Sequence, residues 1–288
     1  MSDQVGAANR VGAAASDGAA PLERLSLNQI TVDQWTLPEV VEGCVRAGIT
    51  TIAPWREPVA KVGLDAAARL IAGAGLAVSS LCRGGFFPAA GDGERRRADD
   101  DNRRAVDEAA ALGTDVLVLV CGPPLGRDLA RARTEIAQGI ERLAPYAAEH
   151  GVRLGIEPLH PMMIGERSAI VTLGEALDIA LRFDAGVVGV VVDAYHVWWD
   201  PALERELARA AGRVVGFHVS DWLVPTPDLL QGRGMMGDGI IDLRGIRGLV
   251  EAAGYDGPIE VEVINRDLWR LPGDELVALT CERFAAVV

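Results

Sequence analysis

Residues 187–201 read VVGVVVDAYHVWWDP. A run of β-branched valines around one glycine has the composition of a strand buried on both faces, as parallel sheets require. The run ends on Asp193. Seven residues later Asp200 and Pro201 read as a helix start, with Asp200 as N-cap and Pro201 in the first position. One strand thus hands over to one helix through a short link that carries an acid, an imidazole and two indoles.

Outward from this stretch the same handover recurs. Strands are predicted at RLSLNQI (24–30), TTIAPW (50–55), AVSSLC (77–82), DVLVLVC (115–121), RLGIEP (153–158), VVGVVVD (187–193), VVGFHVS (214–220) and PIEVEVI (258–264). Amphipathic segments such as LPEVVEGCVRAG and DDNRRAVDEAAALG separate them, several ending on glycine as helix C-caps do. Eight strand–helix units in alternation imply parallel pairing and predict a single-domain α/β fold, a (β/α)8 TIM barrel. A doubly wound open sheet fits less well, because no G-x-G-x-x-G opens a helix. The barrel is expected over residues 23–288, behind a Gly/Ala/Ser-rich leader at 1–22 expected to be disordered.

Composition narrows the function. The 288 residues are 49% hydrophobic, enough for one large core. A net charge of −13 opposes a polyanionic partner, so nucleic acid is not expected. The basic piece GERRRADDDNRR is largely neutralised by its own acids. No apolar run nears the roughly 18 residues of a membrane span. Cys44, Cys82, Cys121 and Cys281 show no C-x-x-C spacing, which fits a reduced, cytoplasmic protein. Lys61, the only lysine, sits in the loop-like REPVAKVGLD. Schiff-base chemistry is therefore not expected, and no phosphate loop of the GKS/GKT type exists.

In a barrel of this kind function gathers at the C-terminal strand ends. There the late strands carry Glu157, Asp193, His218 and Glu262. Alternation puts Gly155, Gly189 and Gly216 on the same faces as the first three, and the missing side chains are expected to leave room for an ion or ligand. Three carboxylates and an imidazole at one mouth repel one another without a cation. A divalent metal resolves this, with Mn²⁺ first and Mg²⁺ or Co²⁺ as alternatives. His160 and His196, each three residues beyond a strand-end acid, are candidate ligands, proton shuttles or substrate contacts. His150 reads as a solvent-facing residue at a helix C-terminus.

Other residues fill in around the mouth. Trp55, Trp198, Trp199 and Trp222 all follow strand ends and could offer flat walls to a sugar, although some are expected only to pack loops down. Arg56, Arg83 and Arg233 are candidate substrate contacts. Glu260 lies deeper than Glu262 on the same face and is expected to have a structural partner, an arginine. Asp221 and Asp238 are candidates for orienting the ligand side chains.

The pieces GIEPLHP, VVVDAYHVWWDP, GFHVSDW, GMMGDGIIDL and GYDGPIEVEVIN resemble the xylose-isomerase-like TIM-barrel superfamily of sugar phosphate isomerases and epimerases. The resemblance runs from LSLNQIT to the C-terminus. It implies one divalent metal held by Glu157, Asp193, His218 and Glu262, and no organic cofactor. It also implies that Glu157 and Glu262 act as the acid/base pair; in the mechanism expected on this site, His160 and His196 serve substrate oxygens. The function expected is a metal-dependent sugar isomerase or epimerase, working by proton transfer next to a carbonyl through an ene-diolate. A lyase or dehydratase on a keto-sugar, inosose or 3-keto-glycoside is the alternative, and a non-catalytic sugar-binding or partner subunit the second. The superfamily often forms homo-oligomers, and a homo-oligomer or hetero-subunit is expected by analogy. Xylose isomerases proper use a catalytic lysine absent here, and the endonuclease branch a histidine-rich zinc site that four histidines cannot supply.

Overall fold

Nine short strands make one all-parallel sheet in the computed structural model, which describes Leu22–Val288. They are β1 (Leu25–Asn28), β2 (Thr51–Ala53), β3 (Ala77–Val78), β4 (Leu81–Gly85), β5 (Val116–Val120), β6 (Arg153–Ile156), β7 (Val188–Asp193), β8 (Val214–Val219) and β9 (Ile259–Val261). Their order is β3-β2-β1-β9-β8-β7-β6-β5-β4. Because β3 and β4 are consecutive pieces of one stretch yet stand at opposite ends of that order, the stretch closes the sheet on itself. The predicted third strand is therefore one stave broken at Ser79–Ser80, and a bridge between Trp55 and Cys82 helps to seal the seam. The result is the expected eight-stave barrel. The expected leader lies outside the described residues, apart from Leu22, which opens a 3-10 turn.

Ten helices surround the sheet among the described residues: α1 (Leu37–Ala47), α2 (Arg56–Val62), α3 (Leu64–Gly73), α4 (Asp92–Leu112), α5 (Leu129–Glu149), α6 (Leu173–Ala180), α7 (Ala194–Val197), α8 (Leu203–Arg209), α9 (Leu243–Ala252) and α10 (Gly273–Val287). At the start of α1 the Glu39 carboxylate accepts the Thr36 N–H at 2.7 Å, and Gly48 ends the helix at φ +71, a conformation that glycine adopts without steric cost. The loop predicted around Lys61 is instead helix α2, where Lys61 pairs with Glu57 at 3.0 Å. Pro58 falls in its first turn and is tolerated there. None of the described helices is long and apolar enough to cross a membrane.

Two layers of core follow from the pleat. Outward side chains such as Leu27, Leu117, Val192 and Phe217 pack under the helices in the main apolar cluster. Inside the barrel Val116, Val118, Val191 and Val215 form a separate small cluster. That inner cluster overturns the expectation about the glycines. A Cβ on Gly155 would lie 2.7 Å from Val191 Cγ2 and 3.0 Å from Val215 Cγ2, and one on Gly189 would lie 2.5 Å from Val215 Cγ1. The space they leave is filled by valines, which form a dry floor under the mouth. A bulge provides one of them. Pairing of β7 with β8 jumps from Val190–Val214 to Val191–Gly216, so Val215 is inserted inward while Val214 joins the outer core.

Candidate active site

Glu157 follows β6 directly, Asp193 ends β7, His218 lies near the end of β8, and Glu262 follows β9. All four are buried, and one donor atom from each lies within 4.8 Å of the others. His218 Nδ1 is 3.4 Å from Glu157 Oε1 and 3.9 Å from Glu262 Oε2, while its Nε2 faces Glu260 Oε2 at 3.2 Å. Glu260 thus has a partner, but it is His218 rather than an arginine. Ser79 Oγ donates to Glu260 Oε1 at 2.9 Å and Asn28 Nδ2 to its Oε2 at 3.3 Å. A carboxylate behind an imidazole, pointing the other ring nitrogen into the site, is the usual support of a metal-binding histidine.

The donor chemistry fits a divalent cation. Glu157 Oε1 and His218 Nδ1, which face the cluster, are buried without a hydrogen-bond partner, and an unsatisfied buried polar group costs about 1–3 kcal/mol. Three carboxylate oxygens and one imidazole nitrogen form a mixed oxygen–nitrogen set suited to Mn²⁺, Mg²⁺, Co²⁺ or Zn²⁺.

One protein cation already serves these acids. Arg233, on the long loop after β8, places Nη1 2.9 Å from Asp193 Oδ2 and 3.0 Å from Glu262 Oε2, and its guanidinium stacks 4.5 Å over the Tyr195 ring. The loop holds it from both sides. Asn265 Nδ2 donates to the Arg233 carbonyl at 2.7 Å, and the neighbouring Gly234 pairs with Asp221 through backbone bonds. The Asp221 carboxylate in turn accepts four backbone N–H groups, from Trp222, Gly237, Gly239 and Ile241, at 2.8–3.0 Å. Asp221 therefore shapes the loop and does not reach a ligand side chain. Asp238 lies on the outside, 3.0 Å from Arg283.

Electrostatics follow from burial and these pairings. Burial raises Glu157 against the pull of His218, and raises Glu262 to about 7 against Arg233 and His218. Burial would raise Asp193 too, but Arg233, His196, His218 and the Tyr195 N–H hold it below its ordinary value. His218 overcomes its own burial and rises to about 10, driven by Glu260 and by contact with Glu157. His196 falls to about 3, chiefly through burial and with Arg233 adding to it. Its Nδ1 faces the His160 N–H at 3.2 Å, and its Nε2 lies 3.1 Å from Arg233 Nη2 and 3.6 Å from Asp193 Oδ2, so a second ring proton would sit against the guanidinium.

A cavity of about 260 Å³ opens above this cluster. Glu157, Glu262, His196, Arg233, Arg83 and Trp55 line it, as expected of candidate site residues. Others do not reach it. Arg56 is held at the start of α2 by Glu108 at 2.5 Å and Asp101 at 3.1 Å. His160 packs against Trp222 with ring centroids 4.7 Å apart and planes tilted by 30°, and Trp198 and Tyr195 complete that cluster at 5.7 and 4.8 Å from Trp222. Trp199 lies edge-on to His160 and donates to the His196 carbonyl at 2.8 Å. Three of the four expected tryptophans thus pack loops.

Several cavity residues escaped the sequence reading. Trp269 and Arg167 both line the cavity. Asn28 supports it from below, accepting the Trp55 indole N–H at 2.8 Å. Asn28 carried a usable signal, a polar residue at the inward end of the first strand. Trp269 and Arg167 lie well beyond their strands in irregular loops, where no periodicity marks them.

Comparison with known proteins places this arrangement among relatives. Residues 41–286 match the model of the xylose isomerase-like TIM barrel family. Two curated proteins named 3-dehydroshikimate dehydratase are similar in part. The one from Pseudomonas aeruginosa is 31% identical over 167 residues, 56% of this chain and 25% of that protein. The one from Pseudomonas putida is 25% identical over 173 residues, 58% of this chain and 26% of that protein. The match thus spans about a quarter of each relative's length. A crystal structure of a protein from Sinorhizobium meliloti 1021 is 49% identical, with a TM-score of 0.90 over 93% of this chain and 99% of that one. The IOLI protein, solved with a bound zinc atom, shares the fold at 18% identity and a TM-score of 0.81 over 92% and 98% of the two chains. A D-allulose 3-epimerase from Methylomonas sp. does so at 18% and 0.72 over 92% and 97%.

Proposed function

Because the chain belongs to the xylose isomerase-like TIM barrel family, we propose that it is a divalent-metal-dependent enzyme that removes a proton next to a carbonyl and then expels water. The observation that carries this reading is the buried convergence of Glu157, Asp193, His218 and Glu262, with donor atoms left unsatisfied. A divalent ion held by these four would supply Lewis-acid polarisation of the substrate carbonyl. The remaining work falls to side chains. Glu157 and Glu262 stand on staves separated by β7 and β8, so they reach the cavity from different sides. In the metal-free site burial raises both carboxyls, Glu262 to about 7, the range of a group that exchanges a proton near neutral pH. One takes the proton from carbon. The C–H electrons form the new double bond, the neighbouring C–O bond breaks, and the other glutamate's proton leaves with the hydroxide as water. Arg233 holds Asp193 and Glu262 in register, and neutral His196 abuts its guanidinium and moves no proton. Trp55, Leu230 and Trp269 form apolar walls that limit water.

Support for elimination comes from the dehydratase names of both curated relatives, and 3-dehydroshikimate is the substrate to try first. Loss of water from its cyclic enone leads to an aromatic dihydroxybenzoate, visible by ultraviolet absorbance. With a divalent ion added, turnover is expected, and Glu157→Gln and Glu262→Gln should each lower kcat by about 100-fold or more. No absorbance change, with solvent deuterium entering a ketose without elimination, would replace this reading by epimerisation. That second reading is favoured by the two glutamates, which can remove a proton on one face and return it on the other. The free cysteines, three of them buried, suit a reducing compartment.

A further inference from the structure

Two arginines at the cavity have no acid of their own. Arg83, in β4, and Arg167, on the loop after the Pro161–Met163 turn, both line it and are partly buried. Among the described residues neither guanidinium makes an ion pair or a hydrogen bond. Other half-buried arginines show what is usual in this acidic chain: Arg56 holds Asp101 and Glu108, Arg133 pairs with Glu175, and Arg153 with Asp115. The acid nearest in effect to Arg83 is Asp101, but Arg56 and Arg104 already claim it. Arg233, the third arginine of the cavity, is engaged by Asp193 and Glu262.

The pair is held in place, and holding it has a cost. The Arg83 guanidinium lies 4.0 Å over the Phe86 ring. Phe86 itself has φ +53, a left-handed conformation that strains a residue of this size. The Arg167 backbone is pinned by its N–H to Met163 O at 2.8 Å and by Gly122 N–H to its carbonyl at 2.9 Å. Burial lowers the pKa of Arg83; the neighbouring Cys82 opposes this, and the positive charge of Arg167 adds to the lowering. Backbone strain of this kind gathers at ligand sites.

We propose that Arg83 and Arg167 form a carboxylate-binding subsite that orients an anionic ring substrate, its carboxylate on the arginines and its carbonyl toward the Glu157–Glu262 cluster. The proposal rests on the cavity being the substrate site of the function proposed above, but not on which reaction follows. Planar guanidiniums match a carboxylate's two oxygens. Beside them Val120, Leu159 and Met163, with Phe86 and Leu230, make an apolar patch that offers no donor to a third oxygen. A carboxylate therefore suits the place better than a phosphate. The chain as a whole, at −13, would repel such a ligand, so local cations are what admit it.

The test is calorimetric titration of the full-length, metal-loaded chain with 3,4-dihydroxybenzoate and with 3,4-dihydroxybenzamide. The acid is expected to bind about tenfold or more tightly than the amide, since charge-assisted hydrogen bonds are the strong ones. Arg83→Gln and Arg167→Gln should each cut acid affinity about tenfold while amide affinity stays within about twofold, which also shows that the variants are folded. Equal binding of acid and amide by the unaltered chain, binding of neither, or a preference that survives both substitutions overturns the proposal. Inorganic phosphate displacing the benzoate as well as benzoate itself does overturns the choice of carboxylate. An acid preference without turnover of 3-dehydroshikimate refutes the dehydratase reading alone, and turnover without that preference refutes the subsite alone.

Discussion

Arg233 shows how much one side chain decides at this site. With Glu157, Asp193, Glu260 and Glu262 converging inside the barrel, its guanidinium and His218 are the cations in contact with them. Arg233→Met should therefore destabilise the chelator-treated protein by about 3–5 kcal/mol, the usual effect of stranding buried charges. Adding a divalent ion should restore part of that loss, because a ligand bound only to the folded state stabilises it. Denaturant midpoints with and without metal check both halves, and a loss under 1 kcal/mol without metal would show that the acids do not depend on Arg233. Glu260 supports a second prediction. Behind His218 Nε2 at 3.2 Å, it acts on a metal only through that ring. Glu260→Gln should weaken metal affinity about 10–100-fold with little change in fold, measured by competition with a chromophoric chelator.

At the scale of elements, the loop after β8 and the barrel floor make the site rigid. Asp221→Ala removes four backbone hydrogen bonds to a buried carboxylate at once. Each charged hydrogen bond is worth about 1.5–3 kcal/mol, so a loss of at least about 3 kcal/mol is expected, together with faster amide exchange across residues 222–241. Gly189→Ala tests the floor: its Cβ would lie 2.4 Å from the Arg213 carbonyl and 2.5 Å from Val215 Cγ1. Overpacking of this kind costs about 1–3 kcal/mol; a neutral result in thermal unfolding would mean the glycine is not required by the floor. These elements also show where sequence stops being informative. Glu157, Asp193, His218 and Glu262 were legible because a strand end is a position on a repeating pattern. The bulge at Val215 and the break at Ser79–Ser80 interrupt that pattern, and neither has a local residue signature. The tryptophans misled for a related reason: following a strand end says nothing of which way a loop folds, and the stack around Trp222 turned three of them from the cavity.

Across the whole molecule the eightfold alternation was readable because parallel staves buried on both faces leave runs of valine, and helices between them leave a different period. What alternation cannot give is the meeting of distant residues in the lumen. Arg83 and Arg167 are far apart in sequence and come together only when the sheet closes, as do Asn28 and Glu262, 234 positions apart. The same closure brings the proposed metal ligands together, since they sit on four different staves or their ends. The most direct test of this account is the metal content of the purified full-length chain, compared with that of His218→Gln. About one divalent ion per chain is expected in the unaltered protein and a small fraction of that in the variant, with both folded by circular dichroism. Full metal retained by His218→Gln, or none bound by the unaltered chain in an excess of Mn²⁺, Mg²⁺, Co²⁺ or Zn²⁺, would contradict it.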